Sequence, residues 1–350
     1  MKQDKLLLIL CGVLAVLLIV VALLPKRSAD SSPEQTAGET VTASQRETKL
    51  VGVCLPSQSD AWKDAGYLLK DALESAGYRV ELSFADGTAQ GQSALLKTLL
   101  DKGVNCLIAA PADSAAMTEA EAAAQEKGVP LLAYGSLLMD TDAVSGYICY
   151  DYHQMGADIA KHVLSQLEAD DESVTLELFM GSAINYNALL FHTGLLRVLQ
   201  PYIDSGKLVV ASGRLAFEDC CIPNWSEDAA KQACLTRLEN SYDAGAPDIC
   251  ICASDTIAAG VISALETKGV QPENWPVITG NGATETGVSN LASGKQALTV
   301  RLDAANPAEV CVAMVDRALF GAVPDFPLGE IFNNVINVPT AFCDYELTTQ

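Results

Sequence analysis

The chain has 350 residues, 49% of them apolar, which is enough to bury two ordinary hydrophobic cores. Its net charge of −22 repels phosphate backbones and argues against nucleic acid as a partner. The four cations Lys2, Lys5, Lys26 and Arg27 sit in the first 27 residues against Asp4 alone, so the remainder is more acidic still.

Leu6 to Leu24 runs without a charge, Pro or Asn, close to the roughly 20 residues needed to cross a bilayer as a helix. It ends Leu23-Leu24-Pro25-Lys26-Arg27 rather than in small residues. This favours an uncleaved anchor in segment 1–27, with a cleaved signal peptide as the rival reading. Residues 28–48 are rich in Ser, Thr, Glu and Ala, lack apolar periodicity, and read as a disordered tether.

From residue 49 onward, short apolar runs alternate with amphipathic stretches. Leu50–Leu55 is a predicted strand, and the helix predicted over 60–76 places apolar residues at 65, 68, 69, 72, 73 and 76 along one face. The unit recurs with strands at 80–84 and 106–110, and again at 174–180, 207–212, 248–253 and 276–279. Lys-Gly-Val closes three predicted helices, at 102–104, 127–129 and 268–270, with Lys facing the negative helix end. Strands apolar on both faces and separated by helices predict parallel sheets covered on both sides. Two doubly wound sheets of five or six strands are more plausible than one very large sheet.

Cys250 and Cys252 alternate within a predicted strand and fall on one face as small buried hydrophobes. The eleven cysteines show no disulfide framework. The adjacent Cys220 and Cys221 are the alternative candidates for a bridge. The three histidines, at 153, 162 and 192, are scattered, and no Cys or His pair has zinc spacing, so neither a metal nor a cofactor is expected. The chain also lacks a Gly-x-Ser-x-Gly elbow and a phosphate loop. No catalytic residues are assigned, and an enzyme is not expected.

An ordered series of short segments at predicted strand ends carries a resemblance. They are Trp62 with Asp64, Ala133-Tyr134-Gly135, Gly181-Ser182 running to Asn187-Ala188, Gln200 to Leu208, Ala253-Ser254-Asp255, Ile278-Thr279-Gly280 and Gln296 to Val300. Together they resemble the extracytoplasmic aldose-binding proteins of ABC importers, the xylose-binding and multiple-sugar-binding group. The resemblance implies two Rossmann-like lobes of type I periplasmic binding protein topology, joined by three crossings near 150, 300 and 332. The first lobe would comprise 49–150 and 301–331, and the second 151–300 and 332–350. It further implies a monomer that captures a sugar between the lobes by hinge closure and delivers it to an ABC permease from the cell surface or periplasmic space. A membrane-anchored sensory co-receptor and a degenerate member that binds nothing are the alternatives. By position, the implied ligand contacts are Trp62, Tyr134, Gly135, Ser136, Asp151, Asn187, Trp225, Ser254, Asp255 and Asn281. Trp62 and Trp225 suit stacking on sugar C–H faces, although Trp62 could instead face the core. Asn187 would pair with hydroxyls, while Asn185 is the better helix cap; Asp255 could equally cap the helix that follows it.

Several positions depart from the family pattern. The Asp and Arg that follow the strand-end Tyr are here Gly135 and Ser136. The Arg before the first Trp is Ala61, the Asn before Asp255 is Ser254, an Asp is replaced by Gly282 and a Lys by Leu302, and Asn281 stands where Gln is usual. An alignment slip of one residue would recover the last cation through Arg301. Losses of both signs are expected if a charged clamp was dismantled as a unit, because removing one member of a buried pair costs about 3–5 kcal/mol while removing both can be neutral. The expected ligand is therefore a small polar solute, a different or larger sugar than a plain aldose.

Overall fold

The computed structural model describes residues 41–167, 173–242, 245–303 and 305–349. Among them no helix is long and apolar enough to cross a membrane; the run at residues 6–24 lies outside the described residues, as does most of the expected tether.

The described residues build two open sheets. The first uses β1 (Leu50–Leu55), β2 (Arg79–Phe84), β3 (Cys106–Ala109), β4 (Leu131–Tyr134), β5 (Val144–Tyr150), β11 (Gly329–Phe332) and β12 (Asn337–Cys343), in the order β11-β12-β5-β4-β3-β1-β2. Every pairing is parallel except β11 with β12. Period-2 alternation explains how both faces become apolar. Val51, Val53 and Leu55 of β1 pack on one side with Leu69 and Leu73 of α2 (Asp60–Ser75) and Met314 of α11 (Asn306–Phe320). Cys54 faces the other side, with Leu96 and Leu99 of α3 (Ala89–Asp101) and Ala120 and Ala124 of α4 (Thr118–Glu126). The expected tether does not reach residue 48: a short helix, α1 (Ala43–Glu47), precedes β1, and its Arg46 pairs with Asp316 of α11, which docks this part of the segment on the first lobe.

The second sheet uses β6 (Val174–Phe179), β7 (Leu208–Val209), β8 (Ile249–Cys252), β9 (Val277–Thr279), β10 (Leu298–Leu302) and β13 (Tyr345–Thr349), ordered β13-β10-β9-β8-β6-β7, with β13 antiparallel at its edge. Ile249 and Ile251 face α5 (Tyr152–Ser165) and α6 (Tyr186–Asp204). Cys250 and Cys252 face Cys234 of α8 (Glu227–Ser241) and Ile257 and Val261 of α9 (Asp255–Lys268), as their spacing predicts. Helices α5 and α6 meet backbone to backbone: a β-carbon on Gly194 would stand 1.9 Å from the His153 carbonyl oxygen. This contact fixes Tyr152 and Asn187, near the two helix starts, relative to one another. The remaining helices are α7 (Phe217–Cys220) and α10 (Glu285–Ala292).

The sheets differ from expectation in three places. The first has seven strands rather than five or six. Strand β7 is only two residues long, because Ser212 leaves the edge to donate both its backbone N–H and its hydroxyl to Glu177. The third crossing is not near 332. Both β11 and β12 belong to the first sheet, and the chain reaches the second only after Cys343, because Thr340 to Cys343 pair in register with Tyr147 to Tyr150. The crossings are tied together: Tyr150 donates to the Asp303 carbonyl at 2.9 Å, Asp344 N–H donates to Asn306 Oδ1 at 2.9 Å, and Tyr345 donates to Asp158 at 2.8 Å.

All ten described cysteines are free thiols. Cys220 and Cys221 form no bridge and instead donate to the carbonyls of Arg214 and Phe217.

Candidate functional site

The carboxyl ends of the strands in both sheets meet across a cleft, the position where open parallel sheets gather loops and helix starts. Three adjoining hollows occupy it. The smallest, about 90 Å³, is walled by Tyr152, Asn185, Asn187, Phe191, Trp225 and Asn281. It shares Asn185 and Trp225 with an open mouth of about 680 Å³ that also reaches Asp113, Ser114 and Ser136 of the first lobe. Through Tyr152 it adjoins a third hollow of about 430 Å³ lined by Trp62, Tyr134, Gly135, Tyr150, Leu302 and Cys343, among others.

Each wall has a local cause. Asn185 caps α6, its Oδ1 accepting the Ala188 N–H at 2.9 Å, and this leaves Asn187 free to turn across the cleft. Asn187 Nδ2 donates to the Gly135 carbonyl at 2.7 Å, and the same oxygen accepts the Tyr147 hydroxyl at 2.9 Å. The Asn187 bond joins the lobes, while the Tyr147 bond holds the Gly135 carbonyl in place from within the first lobe. Gly135 reaches the geometry with φ of +70°, a region that glycine enters without a β-carbon penalty. Trp225 closes the tight turn Pro223–Trp225. Both Asn224 (φ +53°) and Trp225 (φ +55°) are held in the sparsely populated left-handed region, the kind of strain found where function fixes a side chain. The indole lies so close to Gly181 that a β-carbon there would meet the ring at 2.2 Å.

Asn281 is the polar anomaly of the site. Its Nδ2 reaches only the Met155 sulfur at 3.4 Å, and its Oδ1 is buried with no hydrogen-bond partner. Buried amide oxygens are nearly always paired, so an unpaired one at the cleft is an open hydrogen-bond acceptor. Burial pushes the Tyr134, Tyr147 and Tyr152 phenols up from their ordinary value, keeping them protonated. Among the described residues, no charged side chain lines either of the two inner hollows, and no group of His, Cys, Asp or Glu is placed to hold a metal.

Of the expected contacts, the structure brings Trp62, Tyr134, Gly135, Ser136, Asn187, Trp225 and Asn281 to the cleft. Trp62 also packs on the first-lobe core, the alternative placement expected for it. Three residues are employed elsewhere. Asp151 caps α5 through the Gln154 N–H at 2.8 Å, and Ser254 caps α9 through the Ile257 N–H at 3.2 Å. Asp255 is fully buried, accepting from Thr284 N–H, Gln296 Nε2 and the Thr299 hydroxyl, all within 2.9 Å, so it neither caps nor faces the cleft. Leu302 lines the apolar hollow while Arg301 is exposed one residue earlier and paired in register with Glu346. Strand alternation thus rules out a recovered cation. Gly282, with φ of +120°, sits where an acidic side chain would be strained and its β-carbon would lie 3.8 Å from Asp255. Sequence reasoning misses Tyr152, the wall shared by two hollows; its place directly after the strand-end Asp151 was the available signal.

The periplasmic binding protein domain model matches residues 51–322. The chain belongs to that family. It is 31% identical over 281 residues to the multiple sugar-binding periplasmic protein SbpA of Azospirillum brasilense, covering 79% of each chain. It is 29% identical to the D-xylose-binding periplasmic protein of Escherichia coli, covering 74% of each. A Clostridium phytofermentans ABC transporter solute-binding protein with bound β-D-glucose superimposes with a TM-score of 0.77 at 30% identity, covering 86% of this chain and 94% of that one. Membership of this family makes the chain a solute-binding protein and not an enzyme.

Proposed function

We propose that the chain captures a small uncharged sugar between its lobes by hinge closure and passes it to the permease of an ABC importer, working outside the cytoplasmic membrane as a tethered monomer. The unpaired Asn281 oxygen carries this reading. It sits beside Asn187, Asn185 and the Trp225 ring, and amides with an aromatic face suit hydroxyls and C–H surfaces. Support comes from relatives named for sugar and xylose binding and from neighbours holding glucose, one of them the Chloroflexus aurantiacus protein at 26% identity. The Asn187 to Gly135 bond supports closure, because it spans the cleft and ligand hydroxyls would compete for the same amide.

Thermal unfolding against a library of aldoses, polyols and disaccharides tests the proposal. A ligand at about 100 times its Kd should stabilise the chain by about 2.7 kcal/mol. No shift with any member would favour a degenerate protein that binds nothing. One relative is named a periplasmic receptor, and a sensory co-receptor is the second reading. Pull-down from membranes recovers a permease with its ATPase under the first reading and a kinase or chemoreceptor under the second.

A further inference from the structure

We infer that Tyr152 is a ligand-binding residue that sets which sugar the cleft accepts, its neutral hydroxyl pairing with one hydroxyl of the ligand. This rests on the sugar-binding reading and names a residue that reads the sugar. Tyr152 lines both inner hollows, beside Asn187 and Asn281 in the smaller and beside Trp62 and Tyr134 in the larger, so a sugar in either one meets it. The larger, about 430 Å³, is well above the roughly 150 Å³ that holds benzene, and a single sugar ring needs no space outside it.

The chain holds this side chain in place. Tyr152 opens α5 directly after Asp151, whose carboxylate is taken up by capping. Its ring packs on the second-lobe core and lies edge-on to Tyr150, with centroids 6.3 Å apart and planes at 81°. The close backbone contact between α5 and α6 keeps the helix start from shifting. The hydroxyl, by contrast, is uncommitted: among the described residues it has no hydrogen-bond partner, and neither has the Tyr134 hydroxyl or the Trp62 indole N–H at the same hollow. Trp62 and Tyr134 pack on the first-lobe core, so the free donors face the larger hollow from both lobes. Burial keeps both phenols protonated, and each can donate one hydrogen bond and accept another, as a sugar hydroxyl does. Such a set suits uncharged hydroxyls and offers no counter-ion to a carboxylate or an ammonium. A site that pairs with a particular hydroxyl discriminates against the analogue lacking it, because the protein group is then left unpaired.

Calorimetric titration of the full-length chain, in a zwitterionic detergent free of sugar, takes the best-binding member of a panel of aldoses together with its monodeoxy analogues. Tyr152→Phe keeps the ring and its packing and should melt like the parent chain, yet bind the aldose about two- to tenfold more weakly, the net worth of one neutral hydrogen bond. One monodeoxy analogue that the parent chain binds more weakly than the aldose should bind Tyr152→Phe as well as the aldose does, which names the hydroxyl that Tyr152 reads. Unchanged affinity in Tyr152→Phe, a loss equal for every analogue, or a lowered melting temperature would overturn the inference while leaving sugar binding intact. No binding of any aldose by the parent chain would overturn both.

Discussion

The interior of the second lobe and the cleft it faces treat charge in opposite ways. Inside the lobe, Glu177 and Arg237 are almost fully buried, yet the carboxylate accepts from Arg237, Tyr242 and Ser212, and the guanidinium also donates to the Leu178 carbonyl while covering the Phe179 ring at 4.1 Å. Asp255 is likewise satisfied on both oxygens. Among the described residues no charged side chain lines the inner hollows of the cleft, and one amide oxygen there is left unpaired. Charge persists where the chain supplies every partner; where a ligand would have to supply one, neutral amides and aromatic rings take its place.

The contrast can be broken most forcefully at Arg237. Arg237→Met strands the Glu177 carboxylate and should cost about 3–5 kcal/mol in denaturant unfolding, while Arg237→Met with Glu177→Leu should cost much less. A single variant as stable as the parent would mean that the buried pair is not what holds the lobe's interior together. Gly282→Asp, which restores the family acid, should lower stability by about 1–3 kcal/mol through its positive φ and should not improve aldose binding. Tighter aldose binding by that variant would show that the cleft still accepts a charged clamp. Asn281→Leu sharpens the contrast in the other direction. Removing an unpaired amide should leave stability unchanged or raise it by up to about 1 kcal/mol, while weakening sugar binding. Unaltered affinity would remove Asn281 from the site.

The smallest effect concerns pH. Burial holds the His192 imidazole below its usual value, with its Nε2 2.9 Å from the Leu215 carbonyl oxygen opposing the shift. The unfolded chain therefore binds this proton more readily. The contribution of His192 to stability is complete above about pH 6.5 and is lost as pH falls toward the depressed folded value. His192→Gln should flatten that part of the melting profile, and an unchanged slope would assign the acid sensitivity to other groups.

Much of this fold was legible in the sequence because parallel strands buried on both faces leave unbroken apolar runs. Leu50–Leu55 and the Cys250/Cys252 alternation are examples. The return strands were not, because Gly329–Phe332 has no buried residue, Asn337–Cys343 breaks its apolar run with Asn, Pro and Thr, and β13 is a polar edge strand. The third crossing was therefore expected too early. Among site residues, Asn187 and Trp225 could be placed from motif position. Asp255 could not, since its partners Thr284, Gln296 and Thr299 lie 29 to 44 residues away and converge only in three dimensions. Leu302 against Arg301 was undecidable from spacing alone, because a one-residue slip exchanges the two faces of a strand.

Withdrawal of charge from the inner hollows of the cleft is tested most directly by titrating D-glucose, D-glucuronate and D-glucosamine, or the same series built on whichever sugar binds best, at low and high salt. The neutral sugar should bind at least about tenfold more tightly than either charged analogue, with an affinity that salt leaves unchanged. Tighter binding of the acid or the amine, weakening as salt rises, would reveal a charged partner at the inner hollows and contradict this view of the site.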